Sequence, residues 1–175
     1  MRTTWVLLAI GALAGGVAAA DPPQPLHHSE KVEIKAPLDK VWAAVKDFDA
    51  LPKWHPAFAA DELVSGSNGR VGSVRKLTIK DGPVIVEQLT AYSDAHHLYS
   101  YRIIDSPLPI AGYSSTVSVR PGQGGMTEVI WSGTWKRKNP ADKPPEAESD
   151  AGTIKLITGV YRGGLDNLKK MLEGG

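Results

Sequence analysis

The spacing of apolar positions changes along the chain and divides it into three regions. In "SEKVEIKA", Val32 and Ile34 alternate with charges, the period of two that predicts a short strand. Pro37 opens "PLDKVWAAVKDFDAL", where Leu38, Val41, Trp42, Val45 and Phe48 recur at steps of three and four behind Asp39. That spacing predicts an amphipathic helix, which the two prolines of "LPKWHP" bring to an end. From there to about Arg137 the period returns to two. "DELVSG", "GSVRKLTIK", "PVIVEQLTAY", "HLYSYRIID", "GYSSTVSVR" and "TEVIWSGTWKR" are separated by "SNGR", "KDGP", "SDAH", "SPLPIA" and "PGQGG", each carrying the Gly, Asn, Asp or Pro of a tight turn. The regular spacing predicts an antiparallel meander.

A polar link, "KNPADKPPEAESDAG", leads into a second helical stripe of Ile154, Ile157, Tyr161, Leu165, Leu168 and Leu172. Gly159, Gly163 and Gly164 each cost this helix about 1 kcal/mol of propensity relative to Ala. Close packing on the sheet or room for a cavity beneath the helix would account for them. The sum is an α+β arrangement, a curved antiparallel sheet of about seven strands wrapped around a long C-terminal helix. Such a grip leaves concave space, the usual place for a ligand. The domain is expected over residues 28–173, behind a Pro-rich leader over 21–27.

The first twenty residues change the picture of where the chain works. "MRTTWVLLAIGALAGGVAAA" has one early positive charge, an apolar run, and small residues at Ala18 and Ala20, the pattern of a cleaved secretory signal. The run is too short and too rich in Gly and Ala for a good membrane anchor. An exported protein beginning at Asp21 is expected. Loss of the signal removes Arg2 and no acid, leaving 19 basic and 19 acidic residues. A balanced charge argues against nucleic acid or an anionic membrane as main partner. With no cysteine, stability must come from the core rather than from disulfides.

The candidate chemistry sits on the strands. Alternation puts Glu87 on the face of Ile85 and Leu89, where a carboxylate is costly unless paired or protonated. Arg75 or Lys76 can pair with it, depending on the length of the "KDGP" turn. Arg75 is favoured because it alternates with Leu77 and Ile79 and offers a two-pronged grip; a Glu87 solvated at a sheet edge is the alternative. Tyr99 and Tyr101 share a face, as do Tyr113 and Ser115. These suit a semi-polar cavity for a ring or a lipid-like ligand, or an aromatic core with satisfied hydroxyls. Trp54, His55, Pro83, Pro107, Leu108 and Pro109 are expected at the cavity entrance or on a partner surface, and a lone His such as His55 is more often a satisfied structural residue than a catalyst. The pairs His27–His28 and His96–His97 point to opposite strand faces and have no third ligand at a zinc-like spacing, so no metal is expected. No cofactor-binding or haem-attachment motif is present, and neither a cysteine nucleophile nor a G-x-S-x-G elbow occurs.

"KVWAAVKDFDALPKWHP", "GSVRKLTI", "VEQLTAYSDAHHLYSYRI" and "LPIAGYSSTVSVRP" together resemble the Bet v 1/START-type helix-grip superfamily of polyketide cyclases, dehydrases and lipid-transport proteins. The signal over residues 1–20 with "LPIAGYSSTVSV", "VIWSGTWKR" and "ITGVYRGGLDNLKKML" is similar to the MxaD-type periplasmic proteins of methylotrophic bacteria. That resemblance implies a non-catalytic accessory that assists methanol dehydrogenase and its cytochrome c. A carrier of a hydrophobic small molecule is the alternative, as is an aromatase/cyclase-like enzyme using Glu87, Arg75 or a tyrosine. The signal counts against the enzyme, because acyl-carrier-bound polyketides are cytoplasmic. "GSVR", the Glu of "VEQL" and "YSST" also resemble the plant abscisic-acid receptors, which implies that Glu87, Tyr113 and Ser115 point into the cavity. "KDGP" and "SPLPIAG" lack those receptors' gate and latch sequences, so hormone sensing is not implied.

Overall fold

The computed structural model describes residues 22–174 of the chain. The signal expected over residues 1–20 lies outside them. Nine principal elements follow in order: β1 (Leu26–Ile34), α1 (Leu38–Val45), β2 (Phe58–Ser65), β3 (Val74–Ile79), β4 (Val84–Ser93), β5 (Leu98–Asp105), β6 (Ile110–Pro121), β7 (Thr127–Arg137) and α2 (Asp150–Glu173). The strands form one antiparallel sheet in the order β1-β7-β6-β5-β4-β3-β2. The meander is the expected one, and β1 joins its far edge by pairing with β7 from Leu26↔Trp135 to Ile34↔Thr127. The first strand therefore starts two residues ahead of the expected domain limit at residue 28, inside the segment expected as leader.

The sheet bends where its ladder slips. Register shifts fall between Val86 and Glu87, between Leu89 and Ala91, and between Ala111 and Ser114. A bulge increases local twist and turns the strand. At the last of them Gly112 takes φ +61, a left-handed conformation that favours glycine. β6 itself begins at Ile110, within the expected "SPLPIA" loop, because Ile110 and Ala111 already pair with Arg137 and Lys136.

α1 is shorter than the helical spacing predicts. It ends at Val45, and Phe48 reaches the core from the following turn rather than from the helix. Asp47 and Asp49 favour that turn, and Pro52, with no backbone N–H to donate, cannot extend the α-helical ladder. A single 3-10 turn, Leu51–Lys53, follows.

α2 crosses the concave face of the sheet. Ser149 caps its start by accepting a hydrogen bond from the Gly152 amide at 3.0 Å. Ile157, Tyr161, Leu165 and Leu168 are buried as the stripe predicts, and each large apolar side chain buried this way contributes about 1.5–3 kcal/mol. Tyr161 stacks on Trp131 of β7 with ring centroids 4.7 Å apart. Close packing accounts for Gly164. A Cβ there would lie 2.6 Å from His55 and 2.9 Å from both Trp54 and Trp131. Gly159 meets nothing within 4 Å.

Candidate ligand-binding site

Strands β3 and β4 place Arg75 directly opposite Glu87. Arg75 faces inward and Lys76 is exposed, the register favoured from alternation. Arg75 Nε and Nη2 both donate to Glu87 Oε2, at 2.8 and 2.6 Å. Its Nη1 donates to the Phe48 carbonyl and, at 3.3 Å, to Asp61 Oδ2. The guanidinium also lies over the Phe48 ring, 4.1 Å from its centroid, and 5.1 Å from that of Tyr101. Glu87 is 4% exposed, so it is not the solvated edge residue of the alternative reading.

The cluster holds two carboxylates and one guanidinium. Burial pushes the Asp61 carboxyl up to about 6, against the pull of Arg75 and of the Leu51 amide bonded to it. Burial also raises Glu87, again opposed by Arg75. For Arg75 burial works against the charge, but Glu87 and Asp61 more than offset it and keep the guanidinium protonated. With both acids ionised the cluster carries one net negative charge. Asp61 Oδ1 is buried without a hydrogen-bond partner. Sequence reasoning passed over Asp61, although it alternates with Leu63 on β2 and both side chains turn inward.

Above this cluster lies a chamber of about 60 Å³ between sheet and helix. Of the six expected cavity residues, Arg75, Glu87, Tyr101 and Tyr113 line it. Tyr99 does not; it sits in the core against Trp42 and Phe48, with centroids 6.4 and 6.3 Å away. Ser115 does not either, because its hydroxyl is tied into a buried network. Leu156 and Val160 of α2 do line the chamber. They flank the predicted stripe and were not foreseen. Outside lies an open groove of about 590 Å³ bordered by Leu108, Pro109, Ala147 and Leu156. Leu108 and Leu156 border both spaces.

The expected entrance is corrected in part. Leu108 and Pro109 stand at it. Pro83 and Pro107 are exposed and line neither space. Trp54 is 1% exposed and packs on Trp131, 5.3 Å between centroids. His55 is also 1% exposed. Its Nε2–H donates to the Val160 carbonyl at 2.8 Å and its Nδ1 accepts from the Ala57 amide at 3.2 Å. Burial holds its pKa down, so the ring is neutral and structural. Both side chains turn inward because the 3-10 turn rolls them under α2, where Gly164 makes room for their rings.

The network around Ser115 has a single consistent proton order. Ser115 donates to the Ser132 carbonyl at 2.8 Å, so the Tyr161 hydroxyl at 3.1 Å must donate to Ser115. Tyr113, 2.8 Å from Tyr161, must then donate to Tyr161. Trp131 Nε1 shares its hydrogen between Tyr101 Oη at 2.9 Å and Ser115 Oγ at 3.0 Å. The Tyr101 hydroxyl therefore accepts, while its own proton has no protein acceptor in reach among the described residues. Burial raises Tyr101 and Tyr113 well above the ordinary phenol value and pushes Tyr161 up to about 12, so all three stay neutral.

No cluster of three metal-ligating side chains occurs among the described residues. No helix among them is long and apolar enough to cross a membrane.

Four similarities to known proteins bear on this site. The profile of the family described as polyketide cyclase / dehydrase and lipid transport matches residues 25–173. The abscisic acid receptor PYL10 of Arabidopsis thaliana is 38% identical over 145 residues, covering 80% of this chain and 75% of the receptor. Among solved structures, an uncharacterized protein from Bacillus thuringiensis superposes with a TM-score of 0.72 at 31% identity, covering 84% of this chain and 98% of its own. The protein XoxI from Bacillus cereus superposes with a TM-score of 0.71 at 31% identity, covering 83% and 94%.

Proposed function

Because the chain belongs to the polyketide cyclase / dehydrase and lipid transport family, with its α+β helix-grip fold, we propose that the chamber over Arg75 and Glu87 is a non-catalytic binding site for an apolar small molecule. One observation carries this reading. A buried, hydrogen-bonded carboxylate lines a space that is otherwise mostly apolar, and that space shares Leu108 and Leu156 with an open groove. A packed core gains nothing from such a group, since a buried ion pair is often no better than apolar residues of the same volume. A binding site gains a fixed polar anchor.

At about 60 Å³ the chamber holds a few waters, well short of the roughly 300–1,000 Å³ of a pocket for a drug-sized ligand. Ligand entry therefore involves the side chains of Leu108 and Leu156 moving apart. The non-catalytic reading is supported by how the polar groups are committed: Arg75 is bonded to Glu87, Asp61 and the Phe48 carbonyl, and the Tyr113 and Tyr161 hydroxyls are bonded within the protein. Native mass spectrometry of protein purified from its own host tests the reading. A retained apolar ligand of defined mass is expected; bare protein from host preparations, together with no uptake of apolar compounds in vitro, overturns it.

The motif resemblance supports a finer reading, that the exported protein assists methanol dehydrogenase and its cytochrome c in the periplasm. With Trp54 buried, the expected partner residues that remain at the surface are Leu108 and Pro109 at the groove rim and Pro83 and Pro107 on exposed loops. Added mature protein is expected to raise the rate of cytochrome reduction by the dehydrogenase in a salt-sensitive way. An unchanged rate at every ionic strength removes this role and leaves the ligand site untouched.

A further inference from the structure

The chamber's polar inventory specifies the head group it can hold. Arg75, the group that ordinarily receives a carboxylate ligand, is already engaged on all three nitrogens. Nε and Nη2 go to Glu87, and Nη1 goes to the Phe48 carbonyl and Asp61. An entering carboxylate would find no two-pronged grip, because four of the five N–H groups are already used. It would also meet a cluster in which two acids, Glu87 and Asp61, stand against one base. Besides the second Nη2–H of Arg75, what remains free is one acceptor and one phenolic donor. Glu87 takes both Arg75 bonds on Oε2, leaving Oε1 without a partner on a side chain that lines the chamber. Tyr101 accepts from Trp131 and keeps a proton with no protein acceptor. Both residues lie on the inner face of neighbouring strands, β4 and β5, with Leu89 opposite Tyr101 and Glu87 opposite Ile103, two pairs along the ladder.

We infer that the chamber selects an apolar alcohol, whose hydroxyl donates to Glu87 and accepts from Tyr101, and that it discriminates against the carboxylate of the same carbon skeleton. An alcohol satisfies both free groups at once. A carboxylate satisfies Tyr101 but sets its charge beside the unpaired Glu87 oxygen. An alkane satisfies neither and leaves both buried groups unmatched. The head and its first carbons occupy the inner space, and the rest of the apolar body passes Leu108 and Leu156 into the outer groove. This inference rests on the chamber being a ligand site, as proposed above.

The test is displacement of the neutral fluorophore N-phenyl-1-naphthylamine from the mature protein at pH 8 by 1-decanol and by decanoate. Decanol is expected to compete at least tenfold better than decanoate. Tyr101→Phe is expected to weaken decanol several-fold relative to the fluorophore's own affinity in that variant, and Glu87→Gln to shrink the gap between the two competitors. Equal or stronger competition by decanoate, with the fluorophore still binding, overturns the head-group inference and leaves the ligand site standing. A preference for decanol that is unchanged in Tyr101→Phe overturns the assigned donor. Failure of the fluorophore and of both competitors to bind overturns the ligand site itself, and the inference with it.

Discussion

The excess acid in the buried cluster has a measurable cost, and Asp61→Asn exposes it. Asp61 is fully enclosed, with Oδ2 accepting from Arg75 and from the Leu51 amide, and Oδ1 unpartnered. Burial raises its pKa from 3.8 to about 6. A carboxyl whose pKa is higher in the folded chain binds its proton more tightly there, so its contribution to stability is greatest below about pH 4. That contribution falls as pH rises through 6. A rise of about two units is worth roughly 3 kcal/mol. Asparagine keeps an acceptor for Arg75 and Leu51 and cannot ionise. Urea unfolding of both proteins at intervals from pH 4 to pH 8 therefore gives a difference that shifts in favour of the variant as pH rises, by up to about 3 kcal/mol. Most of the change falls between pH 4 and 6. His55 titrates in both proteins and cancels in the difference, whereas Glu87, which shares Arg75 with Asp61, loses a like-charged neighbour in the variant and shifts the difference in the same direction. A difference that stays flat with pH, or that shifts in favour of the parent, refutes the reasoning and shows Arg75 holding Asp61 ionised at no cost.

Two glycines of α2 should respond in opposite directions to the same substitution. Gly159→Ala, with open space around it, is expected to gain about 0.5–1 kcal/mol from helix propensity, whereas Gly164→Ala forces a methyl into the rings of His55, Trp54 and Trp131 and is expected to lose a net 1–2 kcal/mol or so; chemical denaturation measures both. Ser115→Ala removes the acceptor of Tyr161 and Trp131 and the donor to the Ser132 carbonyl. A loss of about 1–3 kcal/mol is expected in the same assay. Leu156→Ala thins the wall between chamber and groove, so stopped-flow mixing with the naphthylamine fluorophore should show faster association with little change in the final signal.

Much of this architecture was legible because the alternation of the strands is clean. "VRKLTI" and "VIVEQL" carry their apolar residues at steps of two, and a turn of "KDGP" length leaves Arg75, not Lys76, opposite Glu87. The stripe from Ile157 to Leu168 likewise fixed the buried face of α2. The misreadings occur where local pattern yields to the turn or to the packing. Phe48 has helical spacing from Val45 yet lies past the helix end. Trp54 and His55 read as rim residues of a Pro-bounded loop, but the room left by Gly164 draws them under the helix. Tyr99 and Tyr101 share a strand face, but the curve of the sheet sends the first into the core beside Phe48 and only the second to the chamber. The smallness of the chamber was not legible, because alternation tells which residues face inward and not how completely their rings fill the space.

The most direct test of the central claim is amide chemical-shift mapping of the isotope-labelled mature protein titrated with 1-decanol. A binding chamber between sheet and helix predicts saturable shifts at Glu87, Tyr101, Leu108 and Leu156, with the distant turn at Gln123–Gly125 unmoved. Shifts confined to exposed residues such as Pro83's neighbours, or no saturable shift at all, would contradict it.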